Sequence, residues 1–280
     1  MILLTLNLSK ILVAVDGSEY SDYALNVAVK IAEKYSSAMD LVYVEMPPSG
    51  SSTPDSINKA NNVLEERLGI VKERKLNCNP IKIQSSDSAG EILKLSNSGG
   101  YNLVVLGNRG MGGLKSLLMG SVSSKVAKES KRSVLVVKTR IQVAPKILLG
   151  YDGSDESNLA LDFASDLGAK FNAQVEAITV FNIPLAPDTY IGSEVDRWKK
   201  EMQDTLDSAV SKLKVNGVNS QGKIVDHTNV SLALANEAEK GFYDFIVVGS
   251  KGQGRLKSLF LGSVANGVAN NSKTNVLIVR

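Results

Sequence analysis

Tyr101 to Val137 and Tyr243 to Val279 read almost alike, in register at a constant offset of 142 residues. In each, an apolar run ends on glycine and continues as G-x-x-G, nine residues, then Gly-Ser-Val. The first copy is Gly107-Asn-Arg-Gly110 with Gly120-Ser121-Val122, and the second is Gly249-Ser-Lys-Gly252 with Gly262-Ser263-Val264. Upstream, Lys10-Ile-Leu-Val-Ala-Val-Asp16-Gly17-Ser18 matches Lys146-Ile-Leu-Leu-Gly-Tyr-Asp152-Gly153-Ser154 at an offset of 136. The difference falls between the two anchors, where added loop length costs little. The chain therefore reads as a duplication, with domains at 1–142 and 143–280. Each is about 140 residues long, enough for a core of its own.

Within each half, short apolar runs alternate with helical spacing. In the first half strands are predicted at 10–15, 41–44, 80–84, 102–106 and 133–137. Helices are predicted between them at 19–35, 56–75, 89–97 and 121–130. Pro47 to Pro54 is a breaker-rich loop. In the second half, strands at 146–151, 174–180, 221–226, 244–248 and 275–279 alternate with helices at 155–169, 194–214, 231–240 and 263–271. Strict alternation predicts an α/β fold, two tandem doubly wound domains with a five-stranded parallel sheet flanked by helices in each. Ligands of such sheets sit beyond the carboxyl ends of the strands at a topological switch point. Asp16 and Gly107, and likewise Asp152 and Gly249, fall at those ends. The apolar last strands read as sheet edges, and exposed edges invite pairing. The halves are expected to associate through them about a pseudo-twofold axis, an intrachain pseudo-dimer. A homodimer of whole chains stays open.

Glycines at 107 and 110 are expected to allow tight turns and positive φ, letting amides converge on an anion. Gly120-Ser121 opens a helix with free N–H groups and a positive dipole end, and Ser121 and Ser123 add hydroxyl donors. Neither the P-loop G-x-x-x-x-G-K-[ST] nor a Rossmann G-x-G-x-x-G after the first strand is present. Any phosphate grip is therefore of another kind.

These motifs resemble the universal stress protein family in its tandem form. The nucleotide signature of that family, G-x2-G-x9-G-[S/T], stands intact at 107–121 and at 249–263. The resemblance implies a fold like that of the adenine-nucleotide α-hydrolases, and ATP or AMP as ligand. The glycine loops and following residues (Gly107, Arg109, Gly110, Gly120, Ser121, Val122; Gly249, Lys251, Gly252, Gly262, Ser263, Val264) would hold phosphate and ribose. Ala14, Val15 and Val44, with Gly150, Tyr151 and Val180, would line the adenine pocket. Asp16 and Asp152 would lie near the nucleotide as candidate ligands of Mg²⁺ or Mn²⁺. The second half departs from the pattern. Tyr151 is bulky enough to stack on a base or to narrow its site, and His227-Thr-Asn-Val-Ser231 lacks the glycine of Asp87-Ser-Ala-Gly-Glu91.

Plainer readings stand beside these. The Asp-Gly-Ser turns also serve as helix N-caps. Arg109, Lys251, Lys115 and Lys257 read equally as phosphate partners or solvated loop charges. His227, the only histidine, reads as a loop residue, and Trp198 as packing on an amphipathic helix. One histidine cannot build a Ser–His–Asp set twice, and no zinc deaminase pattern or H-x-G-H signature occurs. A regulatory stress-response module that binds adenine nucleotide is the reading; a weak Mg- or Mn-dependent ATPase, or an interaction scaffold with vestigial sites, is the alternative.

Net charge +3 without an arginine cluster or basic–aromatic stripe argues against a nucleic-acid partner. No window approaches the ~18 apolar residues of a membrane span, and Met1–Leu8 reads as a tail or strand extension, not a signal sequence. A single cysteine, Cys78, excludes an intrachain disulfide and suits the cytoplasm. A protein partner is expected but has no sequence handle.

Overall fold

An aliphatic run closed by Asp-Gly-Ser is a strand feeding a helix, and this unit opens each half. The computed structural model describes residues 6–46, 54–110, 119–182, 192–252 and 261–280. The first half runs β1 (Lys10–Ala14), α1 (Glu19–Tyr35), β2 (Ala38–Glu45), α2 (Pro54–Glu73), β3 (Cys78–Gln84), α3 (Ser88–Ser98), β4 (Leu103–Gly107), α4 (Ser121–Glu129) and β5 (Ser133–Val137). The second runs β6 (Lys146–Gly150), α5 (Asp155–Phe171), β7 (Gln174–Phe181), α6 (Gly192–Val215), β8 (Asn219–Asp226), α7 (Val230–Lys240), β9 (Phe245–Gly249), α8 (Ser263–Asn271) and β10 (Asn275–Val279). The expectations for the first five residues, for the loop after Pro47 and for Lys115 and Lys257 fall outside the described residues.

Local chemistry explains the first helix of each half. Ser18 caps α1 by accepting from the Ser21 amide, Glu19 and Asp22 sit in the first turn, Lys34 in the last, and Ser36 ends it in the left-handed region. α5 repeats the scheme with Ser154, Asp155, Glu156, Lys170 and Asn172. The buried face of α1 includes Ala24, Val27, Ala28, Ile31 and Ala32, and it packs over β1, β4 and β5.

The chain divides into two compact units, Asn7–Ile141 and Gln142–Arg280. Each holds five parallel strands flanked by helices. The order is β3-β2-β1-β4-β5 in the first unit and β8-β7-β6-β9-β10 in the second. In both, succession runs outward in opposite directions from the central pair, β1 with β4 and β6 with β9. The carboxyl ends of those pairs are the switch points.

β2 begins three residues earlier than the apolar run suggests, and the reason is Asp40. A charge in mid-strand looks like a boundary, yet Asp40 is only 3% exposed. Tyr101 Oη donates to its Oδ2 at 2.5 Å, Asn79 Nδ2 to its Oδ1 at 3.0 Å, and Lys10 Nζ lies 2.9 Å from Oδ2. Burial alone would raise its pKa, but these partners outweigh burial and hold the carboxyl below its usual value. The second unit rebuilds the lock with longer side chains. Tyr243 and Gln221 donate to Glu176, and Lys146 Nζ lies 5.2 Å from the Tyr243 ring centroid. β3 and β8 also start two residues early, because each pairs in register along the full edge of its neighbour.

Replacing Tyr101 with Phe leaves the buried carboxylate one donor short. The expected outcome is a loss of about 1–3 kcal/mol of stability, read as a lower urea midpoint with an unchanged denaturant slope.

Candidate functional site

Both central strands end on Asp-Gly-Ser, and the aspartate folds the turn. Asp16 Oδ1 accepts the Ser18 amide at 3.0 Å; Asp152 Oδ1 accepts the Ser154 amide at 3.0 Å and its hydroxyl at 2.6 Å. Gly17 and Gly153 between them have φ of 85° and 79°, which favours glycine. The turn aims the second carboxylate oxygen across the switch point at the glycine loop. A Cβ built on Gly252 would lie 2.7 Å from Asp152 Oδ2, and one on Gly110 would clash with Asp16 Oδ2.

That geometry corrects one expectation. None of Gly107, Gly110, Gly249 and Gly252 has positive φ; crowding is what excludes a side chain from them. A Cβ on Gly107 would come within 2.6 Å of the Tyr20 carbonyl carbon, and one on Gly249 within 2.6 Å of that of Glu156. The loops then close on themselves. The Gly120 amide donates to Asn108 O at 2.8 Å and the Gly262 amide to Ser250 O at 2.8 Å.

Gly120 and Gly262 are also the N-caps of α4 and α8, and neither cap has a side-chain hydrogen bond. The other four described N-caps, Ser18, Asp87, Ser154 and Asn229, each accept an amide of their own helix. α4 and α8 thus begin with amides that no capping side chain engages, at the positive end of the helix dipole.

In the second unit these features border a cavity of about 860 Å³. Gly150 lines it from the end of β6, Tyr151 and Asp152 from the turn that follows, and Val180 from β7. Gly249, Lys251 and Gly252 line it from the first part of the glycine loop, and Gly262, Ser263 and Val264 from the start of α8. Every described residue predicted for the second site therefore lines this one cavity. Tyr151 does not close the cavity: its hydroxyl donates to Asn158 at 2.9 Å. The turn without glycine still caps its helix, since Asn229 accepts the Leu232 amide at 3.0 Å where Asp87 accepts the Gly90 amide at 2.9 Å. His227 Nδ1 accepts the Asn229 amide at 2.8 Å within that turn.

In the first unit the predicted residues occupy matching places. Ala14 ends β1 and Val15 and Asp16 follow it, with the Val15 amide donating to Val42 O at 2.9 Å, and Val44 lies late in β2. Gly107, Arg109 and Gly110 follow β4, and Gly120, Ser121 and Val122 open α4, with Ser121 exposed. Ser18 Oγ donates to Arg109 O at 3.2 Å, while the Arg109 guanidinium lies 5.7 Å from the Tyr20 ring centroid. Ser123 is not a ligand donor as expected; buried, it donates to Asn108 O at 2.7 Å.

Sequence reasoning missed the wall that α6 supplies to the second cavity. Trp198, Glu201, Met202 and Thr205 all line it. Their i, i+3, i+4, i+7 spacing was legible, but not that this face meets a cavity. Among the described residues no group of three or more His, Cys, Asp or Glu side chains is placed to hold a metal ion, and no helix is long and apolar enough to cross a membrane.

Lys138, directly after β5, was also missed. Burial, and then the nearby charge of Arg109, push its amine down to about 7. An unfolded lysine titrates near 10.4, so between about pH 7 and 10.4 unfolding takes up a proton and stability rises with pH. Below about pH 7 the folded protein bears the full penalty. Lys138→Met is expected to stabilise the protein by on the order of 3 kcal/mol at pH 6. The gain shrinks steadily above pH 7, as denaturant midpoints across pH would record.

Fold and site together define a protein of two doubly wound α/β units, each with a glycine-lined crevice at its switch point. The model of the Universal stress protein family matches residues 7–138 and again 144–280. The chain belongs to that family. A universal stress protein of Mycolicibacterium smegmatis is 28% identical over 295 residues, covering 96% of each chain. Universal stress protein YxiE of Bacillus subtilis is 32% identical over 146 residues, which is 46% of this chain and 99% of YxiE. Among solved structures, a universal stress protein from Archaeoglobus fulgidus aligns with a TM-score of 0.69 at 22% identity, over 97% of this chain and 96% of the other.

Proposed function

We propose that this protein is an adenine-nucleotide-binding regulatory module of the stress response, acting in the cytoplasm and taking ATP or AMP at one site per half. The observation that carries the reading is the junction of cavity and loop in the second unit. A space of about 860 Å³ is bounded at one end by Gly249, Lys251 and Gly252 of the glycine loop and by the start of α8, whose N-cap Gly262 has no side chain to engage the helix amides. Backbone N–H groups at a helix start, with a lysine beside them, form an anion site. Beyond the loop, Ile178, Val180 and Leu234 give the wall apolar surface and Thr179, Asn182 and Glu201 give it polar groups, the mixture a base and sugar require. The first unit repeats the loop, the glycine cap and the aspartate.

A divalent cation fits this arrangement as an ion carried by phosphate. One Asp152 oxygen is held by Ser154, and the other faces the loop at Gly252. Mg²⁺ is commonly bound through one or two carboxylates plus substrate phosphates and water. Asp152, and Asp16 in the first half, would supply that one carboxylate and orient the phosphate chain.

Calorimetric titration of nucleotide-free protein with ATP and Mg²⁺ tests the reading. Micromolar binding is expected, with two sites per chain. Gly252→Val, whose side chain would collide with Asp152, should remove one site and Gly110→Val the other. No heat with either ATP or AMP would refute the proposal.

A further inference from the structure

One wall of the second cavity has no chemical counterpart in the first half. Trp198, Glu201, Met202 and Thr205 share a helical face and line the cavity from α6. Thr205 marks one end of the row. A Cβ on Gly153 would approach its Cγ2 to 3.0 Å, so Thr205 abuts the turn that carries Asp152. Trp198 lies two turns earlier, ~10 Å along the helix axis. Its neighbour Lys199 places Nζ 4.9 Å from the Phe181 ring centroid, which sets this end of α6 beside the last residue of β7. Phe181 lines the cavity too. The space thus has a polar end at Asp152 and the glycine loop, and an aromatic end ~10 Å away.

The first half differs at both aromatic positions. The turn after α2 matches the turn after α6 at an offset of 142. Lys75 N–H donates to Lys72 O, and Gly217 N–H to Lys214 O, both at 2.9 Å and both with left-handed φ. At that offset Trp198 corresponds to Ser56. Phe181 corresponds to Glu45, aligned through the buried pair Glu176 and Asp40.

We propose that Trp198 is a specificity-determining residue of the second site, stacking its indole on the aromatic base of a nucleotide whose phosphates sit at the glycine loop. The inference rests on the nucleotide reading above. It makes the two halves unequal: the second selects for a base, and the first lacks the stack. Base–aromatic stacking carries enough energy to change affinity by roughly 10- to 100-fold.

Trp198 is the only tryptophan in the chain, so its fluorescence reports this site alone. The test uses the full chain with Gly110→Val silencing the first site, titrated with Mg²⁺-ATP and separately with inorganic triphosphate, which has the phosphates and no base. Tryptophan fluorescence should be quenched by ATP. By calorimetry, Trp198→Ala should weaken ATP roughly 10- to 100-fold and leave triphosphate within about twofold, while Trp198→Phe keeps most of the ATP affinity. Unchanged ATP affinity in Trp198→Ala overturns the inference. So does an equal loss for ATP and triphosphate, or a Trp198→Phe as weak as Trp198→Ala, since either marks a merely structural role. Those outcomes leave nucleotide binding standing, whereas binding of neither ATP nor triphosphate to the unaltered chain removes both readings.

Discussion

The carboxyl end of β4 meets the first turn of α1 with no room for a side chain, and the geometry of the crevice follows from that contact. At Gly107 the obstacle is backbone, the Tyr20 carbonyl, so no rotamer change could relieve a Cβ there. The same holds for Gly249 against Glu156. Because α1 sits this low on the sheet, its cap Ser18 can reach the Arg109 carbonyl and the preceding Asp16 can reach Gly110. A larger residue at 107 would lift the helix start and draw the aspartate away from the loop. The glycines of the motif are therefore a chain of close approaches: strand end to helix, then carboxylate to loop, then loop to the next helix cap.

The opposite ends of the strands are held by a different device. One buried carboxylate gathers Lys10 from β1, Asn79 from β3 and Tyr101 from the turn before β4 around its own strand β2. Buried ion pairs contribute little net stability, because desolvation offsets the attraction. Register is where this one acts. Slipping β2 by a single residue would turn Asp40 to the other face of the sheet and separate it from all three partners. The ring of Tyr101 also dictates Gly99 at the end of α3, since a Cβ there would run into it, and Tyr243 does the same to Gly241. One end of each sheet is thus fixed by a polar lock, leaving the other to be shaped by glycines.

Most of this architecture was legible in the sequence because it depends on short-range patterns. Strand–helix alternation and the Asp-Gly-Ser caps are local signals, and the duplication let each half vouch for the other. What stayed hidden is long-range. Asp40 looked like a strand boundary because its partners come from three other elements, Tyr101 lying 61 residues away. Trp198 showed helical spacing, but spacing alone cannot say whether an apolar face meets a sheet or a cavity. Ser123 offered a hydroxyl beside the loop, yet burial turned that hydroxyl onto Asn108. The reason for glycine at 107 and 110 was misjudged for the same cause: crowding comes from residues distant in sequence, whereas positive φ would have been local.

Comparing the halves separates what the site needs from what it tolerates. Ser18 ties its hydroxyl to the glycine loop, whereas the equivalent Ser154 turns its own to Asp152. Ser123 braces the first loop, and Ala265 stands in its place in the second, where no hydroxyl exists. Tyr20, whose ring lies beside Arg109, gives way to Glu156, which carries no ring. Through all these changes the glycine positions, the loop-closing bond of 2.8 Å and the glycine-capped helix persist. Such a pattern is expected of an anion grip built from backbone amides: it demands space and torsion at a few positions and leaves the surrounding side chains free. Divergence then collects at the far end of the second cavity, where Phe181 and Trp198 stand at positions that the repeat matches in sequence to Glu45 and Ser56.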